Sequence, residues 1–280
     1  MRLGLHIYAL GSIAAGILDF IWHDFDPGHQ PIQAFGGHIP GREALAYITA
    51  IWLVAAGLAI LWRRTARGGA VALAIAHCIF TVFWLPRLYT APHFLGFRAS
   101  VVIGVLVGVF QQLILVAAAV LVYAFVKTSS SPHEKAVRAA RWTFGLGSLI
   151  FGVNHLLNIA PAAGMVPKWI PIGGSFWTVF TGIAFVLAGL AILARILDVL
   201  AARLLGLMLL IFSALALAPR VFAYPHAHGA WGGNAYNLAA IGAAWILAGS
   251  LAKRRAEPGN EAAMPEARSA SQPLASRRVE

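Results

Sequence analysis

The sequence predicts an all-α, polytopic membrane protein: eight transmembrane helices arranged as two parallel-repeat four-helix bundles. Three observations carry that expectation: composition, the length of the apolar runs, and an internal repeat. The chain is 60% apolar and only 11% charged, with a mean hydropathy of +0.76, whereas a soluble domain carries roughly 25% charged residues. Apolar runs of about 18–25 residues suffice to cross a ~30 Å hydrocarbon core. They fall near 3–22, 43–62, 69–86, 101–126, 142–160, 174–196, 199–218 and 234–251. In lipid the backbone must satisfy its own hydrogen bonds, so each run is expected as a helix. Barrel strands would alternate over about ten residues instead.

The first run begins MRLGLHIYAL, one arginine followed by apolar residues, as a signal peptide does. No A-x-A-type cleavage site follows, and the run has a counterpart in mid-chain, so it is expected to be the first span. That counterpart belongs to the repeat. Residues 47–61, YITAIWLVAAGLAIL, match 179–193, VFTGIAFVLAGLAIL, at nine of fifteen positions. Apolar runs match cheaply, but polar matches accompany these. PRLYTAPH at 86–93 and PRVFAYPH at 219–226 share Pro-Arg-aliphatic-aromatic-x-x-Pro-His at an offset of 133. Gly16-Ile17-Leu18-Asp19 likewise parallels Gly152-Val153-Asn154-His155. The expected units are 1–126 and 141–251. A cytoplasmic linker over 127–140 joins them, and a disordered cytoplasmic tail over 252–280 follows, rich in Pro, Glu, Ala and Ser. An even number of spans per unit makes the two units parallel, related by an axis along the membrane normal.

Charge orients the spans. With both termini inside, 16 of the 21 basic residues lie on the cytoplasmic side, leaving Arg42, Arg87, Arg98, Lys168 and Arg220 outside. Topology and anionic lipid thus account for the net charge of +11, and no nucleic-acid partner is needed. Cys78 is the sole cysteine, which excludes an intramolecular disulfide framework and a C-x-x-C dithiol.

In this topology both Pro-Arg corners fall at the outer face. Pro86 and Pro219 are expected to stop a helix or kink its last turn. Arg87 and Arg220 serve either as snorkelling anchors or as forked donors to an anionic or carbonyl-bearing ligand. Seven of the ten histidines are expected at the same face: His23, His29, His38, His93, His155, His226 and His228. Asp19 and His155 lie at the hydrocarbon edge, where an ionisable residue marks function. Trp22, Trp84, Trp169, Trp177 and Trp231 at that level read as an aromatic belt. Mid-span His77 reads as a buried, hydrogen-bonded residue. No second mid-span histidine faces it, which disfavours haem.

The candidate outer-face site is therefore Arg87, His93, Arg220, His226, His155 and Asp19. Imidazoles suit Zn, Cu or Fe, so His226, His228 and His23 are weak metal candidates, although no metal is favoured. A quinone-type ligand fits more of the residues. It enters from the bilayer, its oxygens need donors, and oxidation of its quinol form releases protons that His or Asp accept near neutral pH.

The second half also carries Val166-Pro167-Lys168-Trp169-Ile170-Pro171, then Thr181-Gly182, then Ala188-Gly189-Leu190. With a glycine-rich first span before them, these resemble the DoxX/DoxD-like integral membrane proteins over most of 141–251. The first half keeps Thr49 and Ala56-Gly57-Leu58 but lacks that tryptophan, and has Asp19 opposite His155. The resemblance implies a tandem pair of four-helix units and a redox-associated role in the membrane beside a catalytic partner protein. Such subunits are named for a terminal quinol oxidase and a thiosulfate:quinone oxidoreductase. No binding residue is carried over from it. The expected function is a redox-associated component of a bacterial cytoplasmic membrane that binds quinone or another lipophilic ligand at the outer face. The alternative is a non-catalytic carrier or a scaffold for a partner protein.

Overall fold

The computed structural model describes residues 2–29, 40–127 and 133–256. Among them all regular structure is helical: α1 (Arg2–Trp22), α2 (Arg42–Leu61), α3 (Ala66–Trp84), α4 (Arg87–Leu95), α5 (Ala99–Lys127), α6 (His133–Leu157), α7 (Ile159–Ala163), α8 (Gly174–Ala194), α9 (Asp198–Phe212), α10 (Ala218–Ala223) and α11 (His228–Arg255). A π-helical turn, Ser213–Leu217, links α9 to α10. Seven segments among the described residues are long and apolar enough to cross a membrane: Arg2–Trp22, Arg42–Leu61, Ala66–Leu95, Ala99–Phe125, Gly174–Ala194, Asp198–Ala223 and His228–Arg255. Large apolar side chains face outward along them; Ile51 is 61% exposed and Leu187 60%. A water-soluble protein rarely shows such continuous apolar surface. This is the architecture expected of a multi-pass membrane protein.

The sequence suggested an eighth span near 142–160, but α6 does not join the seven. Its first turns carry Glu134, Lys135, Arg138 and Arg141, so the helix starts well before its apolar part. The expected linker is consequently helical from His133 onward. Its Glu134 suits a helix N-terminus, and Ala-Val-Arg-Ala-Ala favours helix. The rest of that linker, the tail beyond residue 256 and His38 lie outside the described residues.

The packing order follows from the contacts. α1 packs on α2, α2 on α3 and α3 on α5; α6 packs on α8, α8 on α9 and α9 on α11. The two sets meet through α1 on α11, α5 on α6 and α5 on α11. The α1–α2 and α6–α8 crossings use glycines in the same way. A Cβ on Gly16 would stand 2.6 Å from Ala50 O, and one on Gly152 would stand 2.6 Å from Gly182 O. The first pair lies 136 and 132 residues before the second. Close backbone approach of this kind is how helices associate where lipid offers no hydrophobic drive. The junction of the halves is equally tight: a Cβ on Gly242 of α11 would lie 2.6 Å from Gly4 O of α1.

The two ends of the bundle differ. At one end Asp198, the first residue of α9, accepts the Val199 N–H through Oδ1 (2.8 Å). Its carboxylate accepts from Arg141 at 3.0 Å and Arg255 at 2.6 Å, and Arg254 pairs with Glu134 at 2.9 Å. The opposite end holds both Pro-Arg corners. There Pro86 separates α3 from α4, and Pro219 opens α10 just after the π turn. A proline donates no N–H, so the helical ladder must re-register on meeting it.

Candidate functional site

At that second end, α1 stops at Trp22 and the chain reverses through His23, whose φ of 56° is left-handed. Histidine is among the residues that visit this region more readily. The following segment folds back onto the bundle. Phe25 is 4% exposed and His29 7%, while Asp26 Oδ1 accepts the Gly28 N–H at 2.8 Å in an Asx-type turn. Arg42 holds Asp24 with two hydrogen bonds of 2.7 and 3.1 Å, tying this loop to α2.

The loop encloses Asp19, which is fully buried. A carboxylate withdrawn from water needs compensation, and three groups supply it. The Asp26 N–H donates to Oδ1 at 2.8 Å, His29 Nδ1 lies 3.2 Å from Oδ2, and His228 Nε2 stands 3.4 Å from Oδ1 at ion-pair range. His228 stacks on Trp22, ring centroids 5.0 Å apart, so the start of α11 and the end of α1 close over the acid. Burial would depress the His29 imidazole, but its hydrogen bond to Asp19 and the charges of Asp19 and Asp26 raise it above its ordinary value. Burial pushes the Asp26 carboxyl up, against the charge of His29 and the Gly28 N–H.

Beside this cluster is a cavity of about 330 Å³ lined by Asp26, His29, His77, Trp84, Arg87 and Gln112. Its polar wall has a defined hydrogen-bond polarity. The Gly28 carbonyl accepts from Trp84 Nε1 at 3.0 Å and Gln112 Nε2 at 3.3 Å. That orients the Gln112 amide, whose Oε1 faces His77 Nδ1 at 2.9 Å. An amide oxygen only accepts, so His77 carries its proton on Nδ1. Its Nε2 is then a bare acceptor, buried and without a hydrogen-bond partner among the described residues. The Arg87 guanidinium lies 4.0 Å from the Trp84 ring centroid, a cation–π contact.

A second cavity, of about 290 Å³, lies in the second half. Ser148, Phe151, His155, Phe185, Phe212 and Asn237 line it. Gln111 of α5 and Tyr236 of α11 belong to the walls of both cavities, which therefore flank the junction of the halves.

The six residues singled out from the sequence do not share one site. Arg87 lines the first cavity and Asp19 lies behind its wall, holding His29. His155 lines the second cavity. Half-buried Arg220 lines neither of the two. His93 is exposed and stacks on Tyr89 at 6.1 Å. His226 is exposed too, its carbonyl 3.5 Å from Trp22 Nε1. The weak metal candidates are likewise distributed: His228 faces Asp19, while exposed His23 meets the Tyr47 hydroxyl at 2.7 Å and Glu43 at 3.4 Å. Among the described residues no group of three or more His, Cys, Asp or Glu side chains is placed to hold a metal ion.

Sequence reasoning missed Gln112 and the pairing of His29 with Asp19. It named His77 without giving it a role. A histidine and a glutamine inside two apolar runs were the available signal. Compared with models of known families, with curated proteins and with solved structures, the chain matches none.

Proposed function

We propose that this protein binds a lipophilic small molecule of quinone type at the first cavity, as a redox-associated component of a bacterial cytoplasmic membrane. The observation that carries the reading is His77: a buried, neutral imidazole whose Nε2 lacks a partner and borders a cavity. Such an acceptor costs free energy until something donates to it. A quinol hydroxyl can donate, and Arg87 can donate to an oxygen of the ring. His29 and Asp26 form the proton-accepting wall, their affinities for protons shifted upward by their surroundings. Electrons leave to a redox partner protein.

This reading keeps eight spans, with α6 as the fifth, in two parallel units that each resemble a DoxX-like four-helix bundle. The matched glycine crossings support the repeat. With the strongly basic end inside, both termini are cytoplasmic. A second reading, a carrier or membrane scaffold, has one observation in its favour. The cavity is built from α1, α3 and α5 together with the start of α11, and so lies between the halves, where parallel-repeat carriers bind substrate.

The test is equilibrium binding of decylubiquinol to the purified full chain in detergent. Replacing His77 by Phe is expected to weaken binding at least about tenfold, the worth of one hydrogen bond to a buried acceptor. Arg87→Gln is expected to weaken it as well, and Arg220→Gln to leave it unchanged. Equal binding by the parent and His77→Phe would refute the assignment.

A further inference from the structure

We propose that the second cavity is a separate binding site, for a lipophilic molecule bearing a hydroxyl group. This goes beyond the first-cavity reading and does not depend on it.

The first observation is Ser148. It is fully buried on α6, lines the cavity, and its Oγ has no hydrogen-bond partner among the described residues. Helical hydroxyls usually return their proton to the carbonyl four residues earlier. Here Ser12 does so to Tyr8, Thr81 to His77, Thr143 to Ala139, Thr181 to Trp177 and Ser250 to Ile246, at 2.7–3.1 Å. Ser148 departs from that habit. A buried hydroxyl with nothing to bind is destabilising, so its presence calls for a ligand atom.

The second observation is His155, two turns further along the same helix. Its Nδ1 lies 2.9 Å from Phe151 O. A carbonyl can only accept, so Nδ1 carries the proton and Nε2 presents a lone pair. His155 therefore selects a donor, and a hydroxyl is the donor most compatible with an apolar molecule. A ketone, ether or carboxylate would meet it lone pair to lone pair.

The remaining wall defines the body of the ligand. Phe151, Phe185 and Phe212 surround the imidazole; the His155 and Phe212 rings stack with centroids 6.2 Å apart, and Phe185 lies 5.3 Å from His155. Aromatic walls of this kind favour a ring or a hydrocarbon chain. Seven residues of helix place Ser148 and His155 roughly 10 Å apart along the axis. The pocket thus has an acceptor at His155, a hydroxyl at Ser148 and rings alongside. No acidic side chain lines it, in contrast to the first cavity.

A matched pair of probes tests this. Binding of 4-octylphenol and of its methyl ether, 4-octylanisole, to the full chain is measured by titration calorimetry in one detergent, so that micelle partitioning acts on both. The phenol is expected to bind about tenfold more tightly in the unmodified protein, the worth of one buried hydrogen bond. His155→Phe should abolish that preference, and His77→Phe should change nothing. Equal affinities for the two probes in the unmodified protein would overturn the proposal whether or not any variant folds. A preference lost with His77→Phe but kept with His155→Phe would also overturn it, by placing the phenol in the first cavity.

Discussion

The two cavities flank the same helix pair and present opposite chemistry. The first borders Asp26, His29 and Arg87, with Asp19 directly behind. The second offers the His155 imidazole, neutral hydroxyl and amide side chains, and a set of phenylalanines. The difference traces to Asp19 on α1 and to the segment that follows it. Asp19 stands where the second half has His155. The loop after α1 also folds back to bring Asp26 and His29 against that acid. Similar helix crossings therefore support two environments: Asp26 and His29 reach the first cavity from the connecting segment, whereas Ser148 and His155 of the second stand on α6 itself.

The opposite end shows the reverse imbalance. Asp198 bridges Arg141 and Arg255, whereas Ala66 and Leu5 stand 132 and 136 residues earlier in the first half. The largest stability effect follows from this contrast. Asp198→Ala leaves the 7%-exposed Arg141 without its counter-charge and is expected to cost about 3 kcal/mol or more. Ala66→Asp in the first half should destabilise rather than help, since no arginine occupies the place of Arg141. Thermal melts in detergent check both; a stabilising Ala66→Asp would break the comparison.

An intermediate effect concerns pH. The folded protein raises His29 above its ordinary value near 6.5, so its contribution is fully present below pH 6.5. It is lost as pH rises through the higher folded value. Asp26, also raised, favours its neutral form and adds a loss of the same sign at lower pH. The melting temperature should fall between pH 6 and pH 9, and His29→Gln should flatten that profile. The second half has no such pair beside its cavity, so His155→Gln should leave the slope as it was.

The smallest effect compares two serines. Ser12→Ala removes a 3.1 Å hydrogen bond to Tyr8 O and should cost about 0.5–1 kcal/mol. Ser148→Ala removes a hydroxyl without a partner and should be neutral or stabilising in ligand-free protein. A larger loss at Ser148 than at Ser12 would invert the contrast.

Much of the helical frame was legible in the sequence, because a span is a local property: about twenty apolar residues in a row. The first span, expected at 3–22, is Arg2–Trp22, and that expected at 174–196 is Gly174–Ala194. The charged start of α6 hid a helix that continues into the expected linker. The π turn before Pro219 was invisible for a different reason, since a proline fixes where the ladder fails but not how the preceding turn adapts. The site was legible only in part. Asp19 announced itself as an ionisable residue at a hydrocarbon edge, and Arg87 through the repeated Pro-Arg corner. The approach of His228 to Asp19 joins positions at opposite ends of the chain, and no local pattern encodes it. The Pro-Arg corners looked equivalent, yet Arg87 borders a cavity and Arg220 borders neither of the two; the first follows α3 directly and the second a π turn.

The most direct test of the first cavity is native mass spectrometry of the full chain extracted in mild detergent, compared with the His77→Phe variant prepared identically. A retained organic mass of quinone type on the parent, absent from the variant, is the predicted result. Bare polypeptide from both, even after decylubiquinol is added, would contradict the account and turn attention to the carrier or scaffold reading.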